Sequence, residues 1–151
     1  MIKFDLTNET KFRPDIDLIK KTINNFSKIA RIKSGDFSLV LVKPSTIKKW
    51  NRLYRGQDKV TDVLSFAEAE AEFIEEENNL GEILICVSRA KDQAQTYGWS
   101  LDQEIVRLLV HGLAHLIGYE HEHVPVAARQ RMEKFESKVL KNNLKLTGRK
   151  C

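Results

Sequence analysis

All four histidines of the chain lie within residues 111–123, in the stretch HGLAHLIGYEHEH. The first two, His111 and His115, have the i, i+4 spacing that places side chains on the same face of a helix. Their imidazole rings would then lie about 6 Å apart along the helix axis, close enough for both to bind one metal ion. The spacing therefore predicts a metal site on a helix in the C-terminal half of the chain.

A glycine follows this pair and predicts the end of the helix. Gly118 can adopt a positive φ, which would stop the helix and let the chain turn back, so that His121 reaches the same metal ion. His123 lies two residues further along and lacks this register, so we interpret it as an exposed neighbour. Three protein ligands leave one coordination position open, as in catalytic zinc sites, where a bound water becomes a nucleophile near neutral pH. Three imidazoles favour Zn²⁺, although the same ligands can capture nickel or copper.

The residue after the first histidine argues against a peptidase. Zinc peptidases with the motif HExxHxxGxxH carry a glutamate there as general base. Gly112 occupies this position and cannot take a proton, so the ligand spacing is present without the proteolytic base. A metal-dependent peptidase is the least favoured interpretation, and it would need Glu120 or Glu122 as a substitute base.

The elements that must position these residues alternate between strands and helices. Apolar residues at a period of two, or in short unbroken runs, predict four strands, over residues 1–8, 37–43, 61–66 and 81–87. Helical spacing predicts about five helices, over residues 14–32, 44–56, 88–98, 100–118 and 125–144. Ser88 is the expected N-cap of the third helix, and Ser100 with Gln103 is the expected capping box of the fourth. This order predicts an α+β fold, with one small four-stranded mixed sheet packed against the helices and the metal site on the fourth helix and the loop after it.

Length and composition indicate a globular protein with a single domain, residues 1–151. The chain has 42% hydrophobic and 30% charged residues, with three prolines and seven glycines, which indicates a globular rather than a disordered protein. Its first residues carry charges every few positions, and no run of about eighteen apolar residues follows, so we expect a cytoplasmic protein without a membrane segment. Cys86 and Cys151 have no disulfide or metal-binding spacing.

The net charge of +4 hides an uneven distribution. Residues 68–77 carry six of the 21 acidic residues, and we expect this segment to be a solvated loop. The rest of the chain has 25 basic and 15 acidic residues, a balance compatible with binding to nucleic acid. The alternative is a surplus of lysine that only keeps the protein in solution.

Three stretches of the sequence and one methionine further along resemble the YbeY family of bacterial endoribonucleases that mature ribosomal RNA. HGLAHLIGYEH is similar to the family signature HGxxHLxGYDH, and NRLYRGQDKVTDVLSF at 51–66 is similar to the block NxxYRxxDxxTDVLSFP. LGEILICVSRAKDQAQTYG at 80–98 is similar to the family's LGDIxIC segment and following helix, and Met132 matches a methionine downstream of the histidines. The departures are Glu120 for aspartate, Ala67 for proline and Ala114 for leucine, none of which removes a ligand.

The resemblance implies a metal-dependent, single-strand-specific endoribonuclease that acts in 3′-end maturation of 16S-type small-subunit rRNA and in ribosome quality control. It implies one divalent metal ion, expected to be zinc, bound by His111, His115 and His121, and a functional role for Arg55. The expected partners are single-stranded regions of rRNA and the ribosome or its small-subunit proteins, whereas DNA and membranes are not expected.

Arg55 is the expected catalytic residue. Cleavage of RNA passes through a phosphorane-like state with extra negative charge, which a metal ion and a guanidinium group can both stabilise. Arg55 follows Tyr54 in an expected loop, where the tyrosine is available for base stacking and basic neighbours for phosphate contacts. These neighbours are Lys48, Lys49, Arg52 and Lys59. The alternative is a surface arginine paired with Asp58 or Asp62.

Two functions remain open at this point. In the first, the protein is a hydrolase in which either a metal-bound water or a metal-activated ribose hydroxyl attacks phosphorus. In the second, it is a ribosome assembly or RNA-binding factor whose metal mainly stabilises the C-terminal fold. The missing glutamate at position 112 keeps the second function open.

Overall fold

One mixed sheet of four strands, with helices on both faces, forms the framework of the protein. The computed structural model describes residues 2–67, 79–119 and 124–144. The strands are β1 (Ile2–Asn8), β2 (Gly35–Val42), β3 (Val63–Ala67) and β4 (Asn79–Cys86). The helices are α1 (Ile16–Ala30), α2 (Pro44–Arg55), α3 (Val87–Tyr97), α4 (Leu101–Leu116) and α5 (Val126–Leu144). The predicted α+β class, with four strands and five helices in the described part of the chain, is confirmed.

The order of the strands in the sheet is β1-β2-β4-β3. β1, β2 and β4 run parallel, and β3 runs antiparallel to β4. Because side chains alternate along a strand, each strand contributes to both faces. One face carries Leu39 and Ile83, which are fully buried in the main core with residues of α1 and α4. The other face carries Leu64 and Leu84, which pack with Ile47 of α2 in a second apolar cluster.

α4 is the central helix of the main core. As predicted, it begins with a capping box: the backbone N–H of Gln103 donates to Oγ of Ser100 at 3.1 Å, and the backbone N–H of Ser100 donates to Oε1 of Gln103 at 2.8 Å. Burying one large aliphatic side chain contributes about 1.5–3 kcal/mol, so burial along most of α4 fixes the helix in place. Its apolar residues that are at most 1% exposed are Ile105, Val106, Leu108, Leu109, Val110, Leu113 and Ala114.

The predicted N-cap at Ser88 is wrong. β4 continues into α3 without a connecting loop, so α3 begins at Val87, and its N-cap residue, Cys86, forms no side-chain capping bond. Ser88 lies in the first turn, with its Oγ 3.5 Å from Sγ of Cys86. An apolar run predicts a strand here, but it does not indicate the residue at which the backbone turns into a helix.

The acidic segment 68–77, predicted to be a solvated loop, lies outside the described residues. Among the helices of the described ranges, none is both long and apolar enough to cross a membrane.

A buried carboxylate links the first turn of α4 to the residues that follow α3. Glu104 is fully buried, and it accepts hydrogen bonds from Nε1 of Trp99 at 3.2 Å and from Nε and Nη2 of Arg107 at 2.7 and 3.0 Å. Burial lowers the pKa of Arg107, but the hydrogen bond and negative charge of Glu104 outweigh it and raise the pKa above its usual value. Arg107 therefore stays charged and compensates the carboxylate within the fold.

Replacing Glu104→Gln is expected to lower the free energy of unfolding by about 2–4 kcal/mol, because Arg107 loses its buried counter-charge. Urea denaturation at neutral pH measures this change. The control is Trp99→Phe, which keeps an aromatic ring, removes the Nε1 hydrogen bond and should cost about 1 kcal/mol. If Glu104→Gln lowers the free energy of unfolding no more than Trp99→Phe does, the ion pair between Glu104 and Arg107 is not stabilising.

Candidate functional site

His111 and His115 lie on one face of α4, one turn apart, as their spacing predicts. Their ring centroids are 4.8 Å apart, and the ring planes are nearly perpendicular, at 85°. The third predicted ligand, His121, and its neighbour His123 lie outside the described residues. Within the ranges that the structure describes, no three His, Cys, Asp or Glu side chains form a group able to hold a metal ion. A site with three protein ligands would therefore need a residue from outside these ranges.

α4 ends just before Gly118, as the position of this glycine in the sequence predicted. The C-cap residue is Ile117, and Gly118 has a φ of 107°, in the region that favours glycine. The N–H of Gly118 donates to the carbonyl of His115 at 3.0 Å, and the N–H of Tyr119 donates to the carbonyl of Ala114 at 3.0 Å. These bonds satisfy carbonyls of the last helical turn. The role of Gly118 in ending the helix is confirmed, and the position of His121 stays a prediction.

A carboxylate from α5 contacts the first histidine. Oε1 of Glu136 lies 2.7 Å from Nδ1 of His111. A carboxylate on Nδ1 favours the tautomer whose Nε2 carries the lone pair that binds metals, and it holds the ring in one orientation. Sequence reasoning missed Glu136, although it lies one helical turn after Met132, which matches the family pattern and is buried in the core.

Gly112, the residue that replaces the peptidase glutamate, packs against the sheet. A Cβ at this position would lie 3.0 Å from Cγ2 and 3.1 Å from Cδ1 of Ile83. The absence of a side chain thus lets α4 approach β4 closely. A glutamate here would point into the apolar core and away from the histidines on the adjoining face of the helix. Close packing against Ile83 therefore disfavours any side chain at the position where zinc peptidases carry their general base.

The histidine pair lines a polar cavity of about 190 Å³. The cavity lies between α4, the end of α2 and the start of β3. Arg55 lines the same cavity, so the structure brings the predicted catalytic arginine to His111 and His115, two of the three predicted metal ligands. The other polar lining residues are Asn51, Gln57, Lys59, Thr61, Asp62 and Ser65.

Arg55 is exposed and lies in the last turn of α2, as the helix predicted over residues 44–56 requires, so the expectation of a loop around Arg55 is wrong. The helix continues to Arg55 because Gly56, with a φ of 68°, forms the left-handed cap. Among the described residues, Arg55 forms no ion pair with Asp58 or Asp62. Asp62 instead accepts hydrogen bonds from Nε2 of Gln93 at 3.1 Å and from the backbone N–H of Val63 at 2.8 Å. Its charge does not neutralise Arg55 by direct contact.

The segment after α2 is fixed by another residue that sequence reasoning missed. Asn51 is buried, and its Nδ2 donates to the carbonyl of Lys59 at 2.9 Å. The backbone N–H of Gln57 donates to the carbonyl of Asn51 at 3.3 Å. Residues 57–59 are thereby folded back against α2, which places Lys59 beside Arg55 at the cavity. Asn51 is the first residue of the NRLYR motif, and its place in this motif is the sequence signal that could have identified it.

Cations dominate the exposed surface of α2, the helix whose last turn brings Arg55 to the cavity. α2 contains no acidic residue, and its side chains Lys48, Lys49, Arg52 and Arg55 are all exposed. Clustered exposed cations attract polyanions and bind phosphate groups. The site therefore combines imidazoles on α4 with positive charge on α2.

Comparison with known proteins gives a match over nearly the whole chain. The family model described as endoribonuclease YbeY matches residues 4–143. The endoribonuclease YbeY of Persephonella marina is 40% identical over 104 residues, which cover 69% of this chain and 68% of that protein. That of Bacillus cytotoxicus is 36% identical over 126 residues, which cover 78% and 80%. That of Desulfitobacterium hafniense is 42% identical over 117 residues, which cover 74% and 73%.

A solved structure shows the same fold. The solution structure of TM1509 from Thermotoga maritima has a TM-score of 0.59 to this chain at 27% identity, and the match covers 94% of this chain and 91% of that one. These matches confirm the resemblance seen in the sequence motifs and the expected enzyme class. The chain belongs to the endoribonuclease YbeY family.

Proposed function

We propose that this endoribonuclease cleaves single-stranded rRNA in the cavity between α2, β3 and α4. The observation that carries the proposal is that Arg55 lines the same polar cavity as His111 and His115. Its role would be 3′-end maturation of 16S-type small-subunit rRNA and ribosome quality control. Such a substrate would place the protein in the cytoplasm, with the ribosome or small-subunit proteins as partners. Residues 1–151 would act as a single domain.

The proposed metal ligands are His111, His115 and His121, which would bind one divalent ion, with zinc expected. The described donors fit such an ion, because two imidazoles share one helix face and Glu136 orients one of them through Nδ1. When bound, the ion would supply Lewis-acid activation for attack on phosphorus. The protein itself fixes the positions of the two rings, because α4 is largely buried and cannot rotate without disrupting the core.

The proposed role of Arg55 is to bind the phosphate. A guanidinium group presents its N–H donors in a planar arrangement that matches two oxygens of one phosphate group. Among the described residues, no carboxylate pairs with Arg55, so its charge is available to the substrate. Lys59 adds a second cation at the same cavity. Together they would orient the phosphodiester towards the histidines and stabilise the negative charge that develops during attack.

A second candidate is an RNA-binding assembly factor with a structural metal site. One observation favours it: Asp62, the single carboxylate lining the cavity in the described ranges, already binds Gln93 and the backbone of Val63. No described carboxylate is thus placed at the cavity as a general base. The peptidase alternative is disfavoured, because position 112 faces the core.

Arg55→Ala is expected to slow cleavage of an unstructured single-stranded oligoribonucleotide by the metal-loaded protein about 100- to 1,000-fold, since one charge-stabilising group is lost. Arg55→Lys keeps the charge without the planar donors, so its cleavage rate should lie between that of Arg55→Ala and that of the unmodified protein. His111→Ala should lose both metal and cleavage. The readouts are gel electrophoresis of the products and metal analysis of the same preparations.

The control for these variants is Arg13→Ala, an exposed arginine outside the cavity, which should cleave normally. Cleavage that survives chelation, or an unchanged rate for Arg55→Ala, would contradict the proposed mechanism. Specific RNA binding without cleavage under any metal would favour the assembly factor. The product ends identify the nucleophile, because attack by a ribose hydroxyl leaves a cyclic phosphate and attack by water does not.

Glu136→Gln is expected to weaken zinc binding about 10- to 100-fold, because a neutral amide holds the ring of His111 less firmly than a carboxylate. Competition with a chromophoric chelator measures this affinity without any assay of activity. Glu133→Gln, at an exposed position of the same helix, is the matched control and should bind zinc normally. Equal zinc affinities for the two variants would rule out the proposed role of Glu136.

A further inference from the structure

Three aromatic side chains form a continuous strip beside the cavity, which we call the aromatic strip: Trp50, Tyr54 and Phe66. The rings of Trp50 and Tyr54, one turn apart on α2, have centroids 5.4 Å apart and planes inclined by 27°. The rings of Tyr54 and Phe66 of β3 have centroids 5.1 Å apart and planes inclined by 59°. The strip thus joins a helix to the neighbouring strand.

Tyr54 is the exposed member of the aromatic strip. It is 64% exposed, although it contacts two other rings. Trp50 and Phe66 are partly buried and pack against the second apolar cluster. These contacts restrict the ring of Tyr54 before any partner binds, which lowers the entropic cost of stacking another flat group on it.

The surroundings of the aromatic strip favour a polyanion with flat apolar faces. α2 carries four exposed cations and no acidic residue, and Nζ of Lys49 lies 5.5 Å from the centroid of the Trp50 ring. Single-stranded nucleic acid offers both features, since its phosphates pair with lysine and arginine while its unpaired bases stack on aromatic rings. An apolar protein partner would leave these charges without partners.

The aromatic strip adjoins residues that line the cavity. Tyr54 directly precedes Arg55, and Phe66 of β3 shares a strand face with Leu64, and both Arg55 and Leu64 line the cavity. A phosphate bound at Arg55 would therefore have a neighbouring nucleotide near Tyr54, because adjacent Cα atoms are only about 3.8 Å apart.

We propose that Tyr54 is a base-stacking residue, which holds an unpaired base next to the phosphate that is cleaved. This inference rests on the proposed function, because it assumes RNA in the cavity. A base in a duplex is covered on both faces by its neighbours, whereas an unpaired base can present a face to Tyr54. The stack would thus favour single strands while tolerating any base, because every base has a π face.

The test uses the full chain with unstructured oligoribonucleotides in which the fluorescent base 2-aminopurine replaces one base at a time. Stacking on Tyr54 is expected to quench the fluorescence at one or two adjacent positions. Tyr54→Phe keeps the ring and should bind and quench like the unmodified protein. Tyr54→Leu keeps apolar bulk without the ring, and it should bind roughly ten- to a hundredfold more weakly and lose the quenching.

Tyr97→Leu is the matched control, because Tyr97 is also an exposed tyrosine beside a tryptophan, with its ring centroid 5.4 Å from that of Trp99. It lies on α3, outside the aromatic strip, and should leave binding and quenching unchanged. Circular dichroism checks that all variants are folded. Fluorescence anisotropy gives the affinities before cleavage, and electrophoresis of the same samples verifies that the RNA is intact.

Unchanged quenching and unchanged RNA affinity in Tyr54→Leu would overturn the stacking role. If the same variant still cleaves RNA at the normal rate, the proposed nuclease function would stand without it. Quenching that depends on Tyr54 in a protein that cleaves no RNA would support stacking while the nuclease proposal fails. If Tyr54→Leu changes only self-association, as measured by sedimentation equilibrium, the strip is a contact between copies and the stacking role is overturned.

Discussion

The geometry of the site depends on how closely α4 approaches β4. Gly112 makes this approach possible, because any Cβ at that position would lie 3.0 Å from Ile83. His111 directly precedes this glycine, and His115 follows it by three residues. The contact therefore sets both the distance of the two histidines from the sheet and the rotation of the helix that carries them. A side chain at 112 would require either Ile83 or α4 to shift, and a shift of α4 would move His111 and His115 relative to β3.

The cavity combines two elements that could not form it separately. α4 supplies imidazoles from within the core, while α2 supplies cations from the surface, and the two lie on opposite faces of the sheet that meet at β3. Polar contacts hold each half in place. Glu136 holds the ring of His111, and Asn51 holds the segment that carries Lys59 beside Arg55. The same residues therefore serve the fold and the site.

Three local signals in the sequence correctly predicted features that local interactions determine, although the local signal for an N-cap at Ser88 did not. The capping box at Ser100 and Gln103, the helix end at Gly118 and the shared face of the two histidines follow from interactions within a few residues, and the structure has all three. Contacts between distant segments left no such pattern. Neither the carboxylate that Glu136 brings to His111 nor the packing of Gly112 on Ile83 follows from spacing along the chain.

In the proposed mechanism, one metal ion on the α4 histidines and the guanidinium of Arg55 act on the same phosphate. A crystal structure of the zinc-loaded protein with an uncleavable single-stranded RNA, with anomalous data at the zinc edge, would locate the metal ion and that phosphate together. The expected result is one zinc ion bound by His111, His115 and His121, with a phosphate of the RNA next to the zinc ion and within hydrogen-bonding distance of Arg55. Zinc on other ligands, or RNA bound away from this cavity, would contradict it.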